Sequence, residues 1–240
     1  MDNGNNNQLL TQAKVNFPPY GIDFPDGPTG RFSNGRNTAD VIAQLLGFNN
    51  FIPPFATAKG MDIVNGVNYA SGSAGILDET AEHLDLYKSG ARMFGIFAAG
   101  YSGCTPGIMT EFGVNSCVDE VNSAVILFNS RLNTTLNDLN NKLVDAKFIF
   151  LDGSFEYPSD LNVTDTPCCA VSSTSGKGQC APNQVPCSNR QNYYFWDAFH
   201  PTERVNVLTG TKAYETLSSF YTSETIAMYK DKETGYISVA

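Results

Sequence analysis

Two short apolar runs, residues 93–98 and 148–151, flank the strongest amphipathic stretch in the chain, and this order constrains the fold more than any other feature. Between them Val118, Val121, Val125, Phe128, Leu132, Leu136, Leu139 and Leu143 recur three and four residues apart, which a helix gathers on one face. Strands joined through a helix rather than a tight hairpin pair in parallel. Further helices are predicted over residues 38–46 and 202–221. Thr38 can cap the first, Val41, Ile42, Leu45 and Leu46 give it an apolar face, and Gly47 can end it. Residues 67–70 read as a short strand entering a small-residue turn at 71–75. Residues 1–36 and 153–195 are dense in turn formers and read as loops. The expectation is an α/β fold with a parallel sheet and helices on both faces, in one domain spanning residues 1–240.

Composition narrows the function. The formal net charge is −9, with 15 basic and 24 acidic residues and no Lys/Arg cluster, which argues against an electrostatic nucleic-acid surface. Hydrophobic residues make up 42% and charged residues 16%, as in a globular protein, and no apolar run approaches a membrane span. Residues 1–8 are polar and Asn-rich and show no signal-peptide pattern. Yet six cysteines (104, 117, 168, 169, 180 and 187) and two sequons, at Asn133 and Asn162, point to the secretory route. Zinc is the rival reading for the cysteines. Adjacent Cys168 and Cys169, with no paired C-x-x-C array, favour disulfides, and six cysteines allow fifteen pairings.

The chemistry concentrates in the segment Tyr194-Phe195-Trp196-Asp197-Ala198-Phe199-His200-Pro201. In a turn entering a helix, a three-residue spacing brings the Asp197 carboxylate to one nitrogen of the His200 imidazole. The other nitrogen is then free to act as a general base towards a hydroxyl nucleophile. Taken alone, D-x-x-H fits a structural histidine satisfied by a neighbouring acid better than a catalytic one.

The wider sequence favours catalysis. Asp2-Asn3-Gly4-Asn5-Asn6, Asn16-Phe17-Pro18-Pro19-Tyr20-Gly21, Gly30-Arg31-Phe32-Ser33-Asn34-Gly35-Arg36, Gly66-Val67-Asn68-Tyr69-Ala70-Ser71-Gly72, Gly103-Cys104-Thr105-Pro106 and the Asp197–His200 segment occur in that order. Together they closely resemble the plant GDSL-type esterase/lipase family, a branch of the SGNH hydrolases. The resemblance implies a three-layer, flavodoxin-like α/β/α fold, hydrolysis of carboxylic esters of small-molecule or lipid type, secretion, and no cofactor or metal. It implies His200 as general base, Asp197 as its orienting acid, and Gly72 as an oxyanion-hole amide, with Gly75 as the alternative register.

Two departures accompany the resemblance. The family's G-D-S-L nucleophile lies immediately before the D-x-G-N-N segment, which here occupies residues 2–6, so the serine and its strand are expected upstream of Met1. The G-x-N-D block, which carries the oxyanion-hole Asn, is also absent, and residues 83–85 mark the expected junction of an internal deletion. The expectations that follow are a shortened relative that is inactive and loosely folded, a non-catalytic lipid- or acyl-ester-binding protein, or a splice form or gene-model error of an active esterase. Ser154, after the strand at 148–151, resembles a nucleophile turn but falls at a different place in the family order. Ser33, Ser71 and Ser73 read as turn residues, and His83 takes no role.

Overall fold

A computed structural model describes residues 1–60, 66–75, 87, 90–153, 158–172 and 178–220. Its elements are α1 (Thr38–Leu45), β1 (Met93–Phe97), α2 (Pro106–Phe112), α3 (Asp119–Lys142), β2 (Lys147–Leu151) and α4 (Glu203–Ser218), with single 3-10 turns at Ser102–Cys104 and Arg190–Asn192. Strands β1 and β2 pair in parallel, from Met93 opposite Lys147 to Phe97 opposite Leu151, with α3 as the crossover. The β–α–β order expected from the sequence is therefore present, and the chain is α/β.

The pleat sorts β2 by face. Ile149 and Leu151 are buried and pack with Ile42 of α1 and with Ala213 and Leu217 of α4. Phe148 points to the other face and stacks on Phe94 of β1, with ring centroids 4.5 Å apart. Asn140 of α3 closes the crossover: its amide nitrogen donates to the Phe148 carbonyl and its oxygen accepts from the Phe148 amide, both at 2.8 Å. Among the described residues β1 pairs with β2 alone, and all five of its residues are half-buried. Of the predicted apolar face of α3 only Leu136 is fully buried; Val121, Val125, Leu132 and Leu139 are half-buried and Phe128 is exposed.

Two predicted details change. The cap of α1 is Asn37, whose side chain accepts from the Asp40 amide while the Asp40 carboxylate accepts from the Asn37 amide. Thr38, the predicted cap, is the first helical residue; a capping box needs an acid three residues on, and Asp40 stands in that register with Asn37. Residues 67–70 form no strand. Asn68 makes one parallel bridge to Pro54, where Pro53 and Pro54 lack the N–H groups that a ladder would need.

The second core lies in the loops. Val15, Tyr20, Cys168, Cys169, Cys180 and Trp196 are buried together, with Phe17, Phe32 and Tyr193 against them. Disulfides join Cys168 to Cys187, Cys169 to Cys180 and Cys104 to Cys117, which resolves the pairing and leaves no described cysteine free for zinc. Cross-links of this kind stabilise segments too irregular to be held by a backbone ladder. This loop core, not the sheet, lies behind the site described next, and Phe32, which packs against it, lines the cavity there.

Candidate functional site

The segment 194–202 is a tight reversal. The Trp196 amide donates to the His200 carbonyl at 2.7 Å, the Thr202 amide donates to the Tyr194 carbonyl at 2.8 Å, and Phe195 and Pro201 bridge in antiparallel fashion. Asp197 and His200 therefore face one another across the turn. The Phe199 ring anchors the bend between Gly107 and Gly178. A Cβ at either glycine would lie within 2.3 Å of that ring, and Gly178 also has a φ of +83°. Glu203, which opens α4, is held by the Gly30–Arg36 run: its amide donates to Asn34 Oδ1 at 2.8 Å and its carboxylate accepts from Arg36 Nε at 2.7 Å.

His200 Nδ1 lies 2.9 Å from both carboxylate oxygens of Asp197. The carboxylate side chain is 1% exposed and the imidazole 39% exposed, so one end of the pair is locked and the other is open. Asp197 Oδ1 also accepts from the amides of Phe199 and His200, at 2.9 and 2.8 Å, and Oδ2 from the Tyr20 hydroxyl at 2.6 Å. Burial alone would raise the Asp197 pKa. The His200 charge and the hydrogen bonds from His200, Tyr20 and Phe199 outweigh it and hold the acid below the usual carboxylate range. An ionised acceptor at Nδ1 selects the tautomer protonated there, leaving Nε2 with the lone pair. The Phe32 ring lies against the imidazole, with centroids 4.7 Å apart.

The pair borders a cavity of about 460 Å³, whose wall also includes Asp2, Phe32, Ser71, Gly72 and Ser73. Gly72 thus shares a cavity with His200, whereas Gly75 is not part of its wall. The Gly72 amide donates to Asp2 Oδ2 at 3.0 Å, so in this conformation the amide assigned to an oxyanion is already engaged. A side chain at 72 would meet the Ala13 carbonyl at 2.8 Å, so packing within the wall by itself requires glycine there. The D-N-G-N-N run clamps this wall. Asn6 donates to the Gly72 carbonyl at 2.9 Å and accepts from Ser71, while Asn5 donates to the carbonyls of Asn68 and Ala70.

Of the remaining sequence-based candidates, Ser154 and His83, with the 83–85 junction, lie outside the described residues. Asn133 is exposed on α3, and Asn162 is exposed in a loop. The residues given no role beforehand are Tyr20, Phe32 and Asp2. Each stands inside a run quoted for the family resemblance, but their contacts with the dyad or with Gly72 span the chain and have no sequence spacing to reveal them.

The sequence model for GDSL-like Lipase/Acylhydrolase matches residues 76–211. Similar proteins of Arabidopsis thaliana include GDSL esterase/lipase At5g45670, 35% identical over 310 residues that take in 90% of this chain and 85% of that protein. GDSL esterase/lipase At1g29670 is 34% identical over 310 residues, 91% of this chain and 85% of its own. GDSL esterase/lipase At4g30140 is 36% identical over 294 residues, 89% and 84%. These spans exceed the 240 residues of the chain, so the relatives carry stretches inside the matched region that have no counterpart here. With that similarity along nine-tenths of its length, the chain belongs to the GDSL-like lipase/acylhydrolase family.

Proposed function

We propose that the cavity beside His200 is an acyl-ester site, and that Asp197 and His200 are the acid–base half of a Ser-His-Asp hydrolase acting on small-molecule or lipid esters. One observation carries the reading: an open imidazole whose Nδ1 is held at 2.9 Å by both oxygens of a fully buried carboxylate. In that role Nε2 takes the proton from an attacking hydroxyl and returns it to the leaving alcohol. Asp197 fixes the ring and stabilises the imidazolium without taking the proton itself. Gly72 is the proposed backbone donor to the developing oxyanion, which requires its amide to leave Asp2.

These 240 residues contain neither G-D-S-L nor G-x-N-D. The chain as it stands is accordingly expected to bind acyl esters without turning them over. Loss of a triad serine costs on the order of a million-fold in turnover. An oxidising, extracellular setting fits the disulfides and the exposed sequon at Asn162, the loop site that suits glycosylation better than helical Asn133, and a part in lipid breakdown rests on the proposed ester chemistry alone.

The test is hydrolysis of a p-nitrophenyl acyl ester by the purified chain beside its His200→Ala variant. Equal, background rates are the expected result. A rate that disappears in the variant would mean that His200 activates a nucleophile within the chain, and Ser73 would be the first to replace. It lines the same cavity with a left-handed backbone, φ +67°, a conformation that costs a non-glycine residue free energy.

A further inference from the structure

The run Asn16–Gly21 contributes no group to the proposed reaction, yet it delivers a buried phenol to the back of the dyad. Residues 17–20 form a turn in which the Tyr20 amide donates to the Phe17 carbonyl, and the Gly21 amide then donates to the Ser33 carbonyl at 2.9 Å. The Tyr20 ring is 1% exposed and meets Phe17 and Phe32 edge-on, at centroid distances of 5.5 and 6.3 Å. Its hydroxyl donates to Asp197 Oδ2 at 2.6 Å and accepts from the Cys180 amide at 3.0 Å.

The two oxygens of Asp197 are held differently. Oδ1 accepts from two backbone amides of its own turn, whereas the donor to Oδ2 beyond His200 is Tyr20, from 177 residues away. Amides at residues 199 and 200 hold one oxygen and leave rotation of the carboxyl plane open. The phenol on Oδ2, together with the His200 Nδ1–H that lies between the two oxygens, fixes that plane. Cys180 fixes the phenol in turn, because it is fully buried, is bridged to Cys169, and the Cys169 amide donates to the Trp196 carbonyl at 3.0 Å beside Asp197.

We infer that Tyr20 is a positioning residue for the proposed acid–base pair: through the relay Cys180 N–H, Tyr20 Oη–H, Asp197 Oδ2 it sets the plane and the acceptor strength of the carboxylate that orients His200. Burial and then the Asp197 charge push the phenol far above its usual range, so it remains a donor. Removing this donor leaves more of the carboxylate's charge to the His200 Nδ1–H, which makes that hydrogen bond stronger and shorter. The inference rests on the reading of Asp197 and His200 as the acid–base pair. It assigns a function to the Pro-Pro-Tyr-Gly stretch and makes the dyad depend on the cross-linked loop behind it.

The experiment is nitrogen-15 NMR of the imidazole groups, of which the chain has two, at His83 and His200. The spectra compared are those of the unaltered chain, Tyr20→Phe, Phe17→Leu and Asp197→Asn. Tyr20→Phe keeps the ring and removes only the hydroxyl; the His200 Nδ1 proton should move downfield. Phe17→Leu, which perturbs the same packing without touching the hydrogen bond, should leave it in place, and Asp197→Asn should abolish it. A signal that responds to Asp197→Asn but not to Tyr20→Phe overturns the role of Tyr20 and leaves the dyad standing. No response to either removes the dyad and this inference with it. Should Tyr20→Phe fail to fold, the hydroxyl proton of Tyr20 in the unaltered chain decides: it should exchange slowly and lie close to the Cys180 amide proton, and rapid exchange with solvent would contradict the relay.

Discussion

Asp197→Ala strands the Tyr20 hydroxyl, the amides of Phe199 and His200, and the His200 Nδ1–H around an emptied buried position. Buried donors left without an acceptor cost about 1–3 kcal/mol each when nothing rearranges, so a loss of about 3 kcal/mol is expected after partial relaxation. A urea titration read by Trp196 fluorescence measures it. The same carboxylate sets a pH dependence. Its pKa in the fold is below the ordinary value, so its contribution to stability is fully present above about pH 4–5 and is lost as the pH falls through the folded-state pKa. The urea midpoint should therefore fall on acidification below that range, and less steeply in Asp197→Asn. Asp197 and His200 are legible as a pair because they stand three positions apart and a turn brings them together. Tyr20 was visible as a residue but not as a partner, since no local pattern encodes a contact across 177 positions.

At the scale of elements, packing of α1 on α4 depends on a missing side chain. Gly210 lies against α1, where an added Cβ would sit 2.7 Å from the Val41 Cβ and 3.1 Å from the Thr38 carbonyl. Overpacking of this kind costs about 1–3 kcal/mol, and the better helix propensity of alanine offsets about 1 kcal/mol of it. Gly210→Ala should thus lower stability by on the order of 1 kcal/mol, seen as a lower melting temperature; a rise would mean that the helices part without cost. The two strands are legible as short apolar runs and α3 as apolar residues three and four apart, both local properties, whereas nothing in the sequence reading anticipates α2 at Pro106–Phe112. The short strand expected at residues 67–70 is absent because the neighbouring segment carries Pro53 and Pro54, and the carbonyls of Asn68 and Ala70 accept from Asn5 instead. The α1 cap was displaced by one residue because two adjacent residues could both cap, and Asp40 decided between them.

At the scale of the molecule, the β–α–β unit with α1 and α4 forms one core, and the disulfide-stapled loops form another around Trp196. The site lies on the second. Replacing Cys169 and Cys180 together by alanine releases a closed loop with a sequence separation of 11 and should cost about 3 kcal/mol by the chain-entropy estimate. The denaturant midpoint measures the loss. That the cysteines are disulfide-bonded was readable from their number and adjacency, but the pairing was not, because it is fixed by how the loops cross over Trp196 and Tyr20. The α/β class was readable in the same way, whereas a site assembled from residues 2–6, 20, 32, 72 and 197–200 is a product of the whole chain's path.

In the proposed reading Asp197 and His200 are the orienting acid and general base of an ester hydrolase, and these 240 residues, which contain no G-D-S-L, show no His200-dependent activated serine. That reading is tested most directly by treating the purified chain with a fluorophosphonate, which phosphonylates an activated serine hydroxyl, and reading the intact mass beside His200→Ala. No His200-dependent adduct is expected. A single phosphonyl group on the unaltered chain that disappears in His200→Ala would contradict the reading, and peptide mapping would name the serine.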